Sequence, residues 1–281
     1  MKIGISSYVY RWSIGVKGYL PTNRLSALDV VRRAASFGCG SVQLCDHLDL
    51  GMNRTQVEEL NSLASDCRIS LELGLGSTDP AYLVRSFDLA RKLGVFLVRV
   101  VPDVHRESRY MSVEQQLDDE SRRIGAAIRE FADPDLVIAL ENHAGLLSAE
   151  LVSLVQQLDS SQVGVCLDTM NSVALLEAPE QTIELLAPFA RTVHLKDFRI
   201  VSSPQEHVIR GTVLGEGILP FPRFVQELRR SGKVASFHIE HYLSPAQAFS
   251  DTIQWEDEAV KRSIDYAVSH LGFERVDTGG F

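Results

Sequence analysis

A single (β/α)8 TIM barrel is the fold class that this sequence predicts. Three observations carry it. Short apolar, strand-like runs recur eight times, stretches of helical periodicity stand between them, and 281 residues is a length that one such barrel fills. The runs are KIGISSY (2–8), SVQLC (41–45), ISLELG (69–74), FLVRVV (96–101), LVIALE (136–141), VGVCLD (163–168), TVHLKD (192–197) and SFHIEHY (236–242).

The helices between them follow from spacing and stop signals. Leu28, Val31 and Ala35 share one helical face ahead of Gly38. Leu83, Phe87, Ala90 and Leu93 do the same ahead of Gly94. The stretch 112–131 is long, polar on one side, and ends before Asp133-Pro134; the last helix is expected from about Glu256 to His270. An open doubly wound sheet is the weaker alternative, because no Gly-x-Gly-x-x-Gly follows the first run, and GLGS (74–77) is too short and follows the third. No Pro/Gly/Ser linker and no internal repeat beyond the β/α unit interrupts the pattern. One domain over 1–272 is therefore expected, with 273–281 a flexible C-terminal tail.

Composition narrows the function classes. The chain is 45% hydrophobic with a net charge of −9, and its basic residues are dispersed, which disfavours a broad nucleic-acid face. No apolar run approaches the 18 or so residues of a membrane span. The first residues lack the basic-then-apolar pattern of a signal peptide, and the four cysteines show neither Cys-x-x-Cys spacing nor disulfide-framework density. Reduced thiols in a cytoplasmic protein are expected, with self-association left open.

In a barrel of this kind the site forms at the carboxyl ends of the strands. Glu141 ends the fifth run, Asp168 the sixth, His194 lies in the seventh and Glu240 in the eighth. A carboxylate at the end of so apolar a strand is costly to bury unless something pairs with it. Each of the four alone reads equally as a cap, a salt-bridge partner or a core histidine; together, on successive strands, they read as ligands of one divalent cation. Three carboxylates and an imidazole form a largely hard-oxygen set suited to Mn²⁺, with Mg²⁺, Co²⁺ and Zn²⁺ as the other candidates. His143 and Lys196, two residues beyond Glu141 and His194, are expected at the same rim as substrate contacts, together with Asn171. His238 is expected to hydrogen-bond a ligand carboxylate, Glu72 to face the mouth across from Glu240 or to pair with Arg99, and Glu216 in LGEG to be a loop residue. Arg11, Arg54, Arg106, Arg199 and Arg210 fall in candidate loops, where one or two would suit a phosphate or carboxylate.

The segments IALENH, VCLDTMN, VHLKD, LGEG and HIEHY, in this order and spacing, resemble the sugar phosphate isomerase/epimerase family of xylose isomerase-like TIM barrels. Its relatives include ketose 3-epimerases, hydroxypyruvate isomerase, inosose dehydratase and endonuclease IV. The resemblance covers nearly the whole chain. It implies that Glu141, Asp168, His194 and Glu240 are the metal ligands and that Glu141 and Glu240 are also the catalytic acid/base pair. Many ketose 3-epimerases carry a histidine where this chain has Asn171 and a second glutamate where it has Leu147, which weakens a free-ketohexose substrate. Endonuclease IV needs further metal-binding residues where Ile209 and Gly211 stand, so a DNA-repair nuclease is disfavoured. The expected activity is metal-dependent isomerisation or epimerisation of a keto sugar or polyol. Dehydration of a keto-polyol such as an inosose is the alternative, and a non-catalytic sugar-binding barrel comes third.

Overall fold

The computed structural model describes residues 1–246 and 251–277. In chain order the strands are β1 (Gly4–Ser6), β2 (Ser41–Cys45), β3 (Ser70–Leu75), β4 (Leu97–Val100), β5 (Val137–Glu141), β6 (Val163–Asp168), β7 (Ala190–Leu195), β8 (Asp197–Ser202), β9 (His207–Thr212) and β10 (Ser236–Ile239). Eight of them close into a barrel in the order β1-β10-β7-β6-β5-β4-β3-β2, while β8 and β9 form a separate two-stranded sheet. The expected (β/α)8 barrel is thus the observed fold. All eight apolar runs supply its strands. The pairing is parallel, with Val98 opposite Ile138 and Glu141 opposite Cys166.

Alternating helices are α1 (Arg11–Ile14), α2 (Ala27–Ser36), α3 (Arg54–Asp66), α4 (Pro80–Lys92), α5 (Val113–Phe131), α6 (Ser148–Leu158), α7 (Pro179–Leu186), α8 (Phe221–Arg230) and α9 (Thr252–Leu271). Local chemistry fixes their ends. The Ser112 side chain accepts from the Gln115 backbone N–H and the Gln115 side chain from the Ser112 N–H, a capping box that starts α5. Gly38 and Gly94 adopt positive φ just past α2 and α4, where a side chain would be strained. No helix among the described residues is long and apolar enough to cross a membrane.

The chain forms two compact units. Residues 72–193 and 227–235 make one; its core includes Leu97, Ala139 and Cys166, and Phe87 packs edge-on against Phe131 at 5.6 Å. Residues 1–71, 194–226 and 236–281 make the other, whose core includes Ile5, Leu44, Phe237 and Ile239. The segment expected as a flexible tail begins inside this second core. Phe273 and Val276 are buried, the Phe273 ring lies 5.2 Å from that of Phe237, and the Val276 N–H donates to the Gly38 carbonyl at 2.8 Å. Residues 278–281 of that segment lie outside the described residues. Cys39, Cys45, Cys67 and Cys166 are free, buried thiols.

Two elements differ from the sequence expectation. TVHLKD is not one strand: β7 ends at Leu195, and Asp197 opens the β8–β9 hairpin, which the apolar pattern did not mark because most of its residues are exposed. The last helix starts at Thr252 rather than near Glu256.

Candidate metal centre at the strand ends

Glu141 and Asp168 are the last residues of β5 and β6, His194 is the penultimate residue of β7, and Glu240 directly follows β10. All four are buried, and each offers a ligand atom such that these atoms lie within 4.8 Å of one another. The four residues singled out from strand ends are therefore brought together. Two carboxylates at about that separation repel by roughly 3 kcal/mol at an effective dielectric near 20, so the group requires positive charge nearby.

Fixed donors hold the Glu141 and Asp168 carboxylates. Arg99 on β4 sets its Nε 3.2 Å from Glu141 Oε2, and the Asn171 side-chain amide donates to Glu141 Oε1 at 3.0 Å. The backbone N–H groups of Met170 and Asn171 donate to Asp168 Oδ1 at 2.8 and 2.9 Å. Asn142, fully buried, acts as a surrogate strand. Its Oδ1 accepts from the Asp168 N–H at 2.6 Å, while its Nδ2 donates to the Asp168 carbonyl at 2.9 Å and to Ser172 Oγ at 3.0 Å. This paired amide fixes where β6 ends and hence where the Asp168 carboxylate stands.

The His194 imidazole is oriented by Gln43. Gln43 Oε1 can only accept, so His194 Nε2, 3.0 Å away, is the donor, and Nδ1 is the nitrogen facing Glu240 Oε2 at 3.3 Å. Lys196 Nζ stands 2.8 Å from Glu240 Oε1, with both residues buried. His238 bonds to Ser41 Oγ at 3.0 Å and meets the His194 ring edge-on at 6.5 Å.

The donor chemistry fits a divalent cation. Three buried carboxylates against two buried cations, Arg99 and Lys196, leave one negative charge in excess. A doubly charged ion turns that excess into a single positive charge, in surroundings where a hard ion prefers oxygen ligands.

Of the other expected residues, Asn171 and Lys196 touch the cluster through Glu141 and Glu240. His143 is exposed and lines a cavity of about 820 Å³ with Val101–Glu107 and Ala174–Leu175. Arg99 contacts Glu141, and Glu72 accepts from Thr192 Oγ1 at 3.4 Å. Glu216 is ion-paired with Arg262, in keeping with a loop residue. Sequence reasoning missed Gln43, Asn142 and the part played by Arg99. Gln43 did carry a signal, a lone polar side chain in the middle of SVQLC. Asn142 gave none, since strand alternation points it away from Glu141.

Comparison with known proteins places this geometry. The chain is 28% identical over 273 residues to a 3-oxo-isoapionate decarboxylase of Pectobacterium atrosepticum, covering 95% of this chain and 94% of that one. Among solved structures it superposes on a D-psicose 3-epimerase with D-tagatose from Clostridium cellulolyticum H10, with a TM-score of 0.74 at 15% identity over 96% of this chain and 99% of the other. It also superposes on a xylose isomerase-like TIM barrel protein from Mycobacterium smegmatis in complex with magnesium, with a TM-score of 0.68 at 13% identity, covering 94% and 97% of the two chains. At such identities the two structures establish the fold alone. The profile of the xylose isomerase-like TIM barrel matches residues 31–265, and the chain belongs to that family.

Proposed function

We propose that this protein is a divalent-metal-dependent enzyme that isomerises or epimerises a polyhydroxylated oxo compound, a keto sugar or a related acid, through an enediolate. The observation that carries this reading is the buried cluster of Glu141, Asp168, His194 and Glu240 with Lys196 set against one of its carboxylates. A scaffold that only bound sugar would have no need to bury four ionisable ligands and a lysine together.

The four residues would hold the cation, Mn²⁺ being the first candidate by donor type. When bound, such an ion supplies Lewis acidity to a carbonyl and offsets negative charge developing on its oxygen. The chain's own residues do the rest. Glu240 accepts the proton from the carbon next to the carbonyl, and the C–H electron pair passes into the enediolate. Lys196, on Glu240, counters that negative charge and moves a proton, which the guanidinium of Arg99 does not do because it stays charged at any working pH. Returning the proton to the opposite face gives the epimer, and returning it to the neighbouring carbon gives the aldose–ketose isomer. Glu141 is the second base for a two-faced reaction. Asn171, already bonded to Glu141, and His143 at the rim are the remaining substrate contacts in this reading.

A second reading has its own support. Glu141 is held by Arg99 and Asn171 while Glu240 is served by Lys196, which suits chemistry needing one proton on one face. Decarboxylation of a 3-oxo acid is such a reaction. The C–C electron pair enters the same enediolate, carbon dioxide leaves, and one proton is delivered to the carbon that lost it. The decarboxylase relative points the same way.

Incubation of the Mn²⁺-loaded protein in D₂O with a panel of keto sugars, aldonates and 3-oxo aldonates, followed by NMR, tests both. Isomer or epimer carrying deuterium at carbon supports the first reading, and carbon dioxide with a deuterated product supports the second. Absence of both exchange and cleavage over the panel rejects enediolate chemistry for these substrate classes.

A further inference from the structure

Against a net charge of −9, one part of the molecule gathers bare positive charge. Arg11, Arg199 and Arg210 line a single cavity of about 760 Å³ within the unit that contains His194 and Glu240, together with the aromatic side chains of Trp12, Tyr242 and Trp255. Arg54 and Arg106, the other loop arginines, are engaged in ion pairs with Glu58 and Glu150. No ion pair holds any of the three cavity arginines among the described residues. The one acidic residue in the wall, Glu216, is engaged by Arg262.

Three features mark this as a built arrangement. Arg199 and Arg210 stand directly opposite each other in the β8–β9 register, a like-charge cross-strand pair that destabilises a hairpin unless an anion compensates it. Arg11 is held between rings, its guanidinium 4.9 Å from the Trp12 centroid and 4.3 Å from that of Tyr242, yet its buried Nε has no acceptor. The indoles of Trp12 and Trp255 donate to the carbonyls of Leu243 and Ser244, and Gly211 lets the hairpin approach so closely that a Cβ there would lie 2.4 Å from the Tyr242 carbonyl oxygen. The walls are thus tied to one another around unmatched guanidinium groups, whose fork geometry suits carboxylate and phosphate oxygens.

We infer that this cavity binds the anionic end of the substrate, a carboxylate or a phosphate. Tyr242 lies two residues past Glu240 and Arg199 three past Lys196. At roughly 3.3 Å per extended residue, the cavity begins about 7–10 Å along the chain from the proposed proton-handling pair, a span that a five- or six-carbon chain bridges. The inference rests on the enediolate reading only in identifying the anion as the substrate's.

The chain has two tryptophans, Trp12 and Trp255, and both line this cavity, so intrinsic tryptophan fluorescence reports on it alone. The test titrates chelator-treated protein with gluconate, glucose 6-phosphate, inorganic phosphate and, as neutral control, glucose. Saturable fluorescence change with the anions and none with glucose is expected. Tighter binding of gluconate identifies a carboxylate end, and tighter binding of glucose 6-phosphate a phosphate end. Arg199→Gln and Arg210→Gln, both at exposed positions, should each weaken anion binding at least tenfold, and Arg210→Glu should abolish it. Equal response to glucose, no response to any anion, or unchanged affinity in the variants overturns the inference. Because no metal or turnover is involved, anion binding that survives a negative substrate panel would overturn the enediolate reading and leave the anion site standing.

Discussion

The two glutamates of the cluster are held in opposite ways. Glu141 is fixed by a guanidinium at 3.2 Å and an amide at 3.0 Å, donors that hold a carboxylate in place. Glu240 faces an ammonium at 2.8 Å, a group able to take up and give back a proton, and the imidazole of His194 at 3.3 Å, placed as a neighbouring ligand of the proposed cation. The two carboxylates thus have different partners, a guanidinium and an amide for Glu141 and an ammonium for Glu240. The contrast teaches that two carboxylates symmetric in the sequence pattern need not be symmetric in chemistry.

The largest expected effect comes from making the glutamates unable to accept a proton. Glu240→Gln should lower turnover of any substrate found by about 10²–10⁴-fold; Glu141→Gln should match that loss in a two-faced reaction and cost much less, at equal metal occupancy, in a one-faced one. Equal losses, measured as kcat with metal content determined alongside, support epimerisation with Glu141 as second base, and unequal losses support the one-proton decarboxylation. Next come the cations. Lys196→Met should cut kcat on the order of 100-fold while the protein still binds metal. Arg99→Met leaves Glu141 buried without its guanidinium and should show chiefly as lost stability, of about 3–5 kcal/mol, in denaturant titration.

A smaller effect is expected at Asn142, which touches neither glutamate in the hydrogen bonds described. Asn142→Ala removes the amide that fixes the end of β6 and should weaken metal affinity about 10–100-fold by isothermal titration, with Asp168 intact. Unchanged affinity would mean that β6 holds Asp168 without help.

How much of this was legible in the sequence divides along physical lines. The barrel, its eight runs and the four clustered residues were legible, because burial makes strands apolar and a charged residue ending such a run has to be offset by function or pairing. Which neighbours hold those four was not. Gln43 reaches His194 from 151 residues away in sequence, and Arg99 reaches Glu141 from the neighbouring β4; strand alternation names neither partner. The β8–β9 hairpin was missed since its residues, exposed along most of both strands, lack the one-sided apolar alternation that marks a half-buried strand. For that reason Arg199 and Arg210 read as loop residues, and their register was invisible.

The smallest expected effect concerns Glu256 on α9, which accepts from the Trp12 and Ser13 backbone N–H groups at 2.9 and 3.1 Å. Burial is the main cause that raises its pKa from 4.5 to about 7, outweighing these hydrogen bonds. A carboxyl whose folded pKa is raised favours folding while protonated, so its contribution is greatest below about pH 4.5 and is lost as pH climbs to about 7. Glu256→Gln should remove this dependence. Compared with wild type from about pH 5 to about pH 8, a window that brackets the raised pKa, the variant's Tm should gain by a few degrees at the upper end. Parallel pH profiles for the two proteins would assign the burial no energetic role.

The central claim is that Glu141, Asp168, His194 and Glu240 form one site for a divalent cation. Titration of Mn²⁺ into chelator-treated protein, followed by calorimetry and by loss of the free-ion paramagnetic signal, tests it most directly. Wild-type protein should take up one ion per chain, and that binding should be lost in Asp168→Ala and in His194→Ala. Wild-type protein that takes up no ion, or either variant binding Mn²⁺ as wild type does, would contradict it.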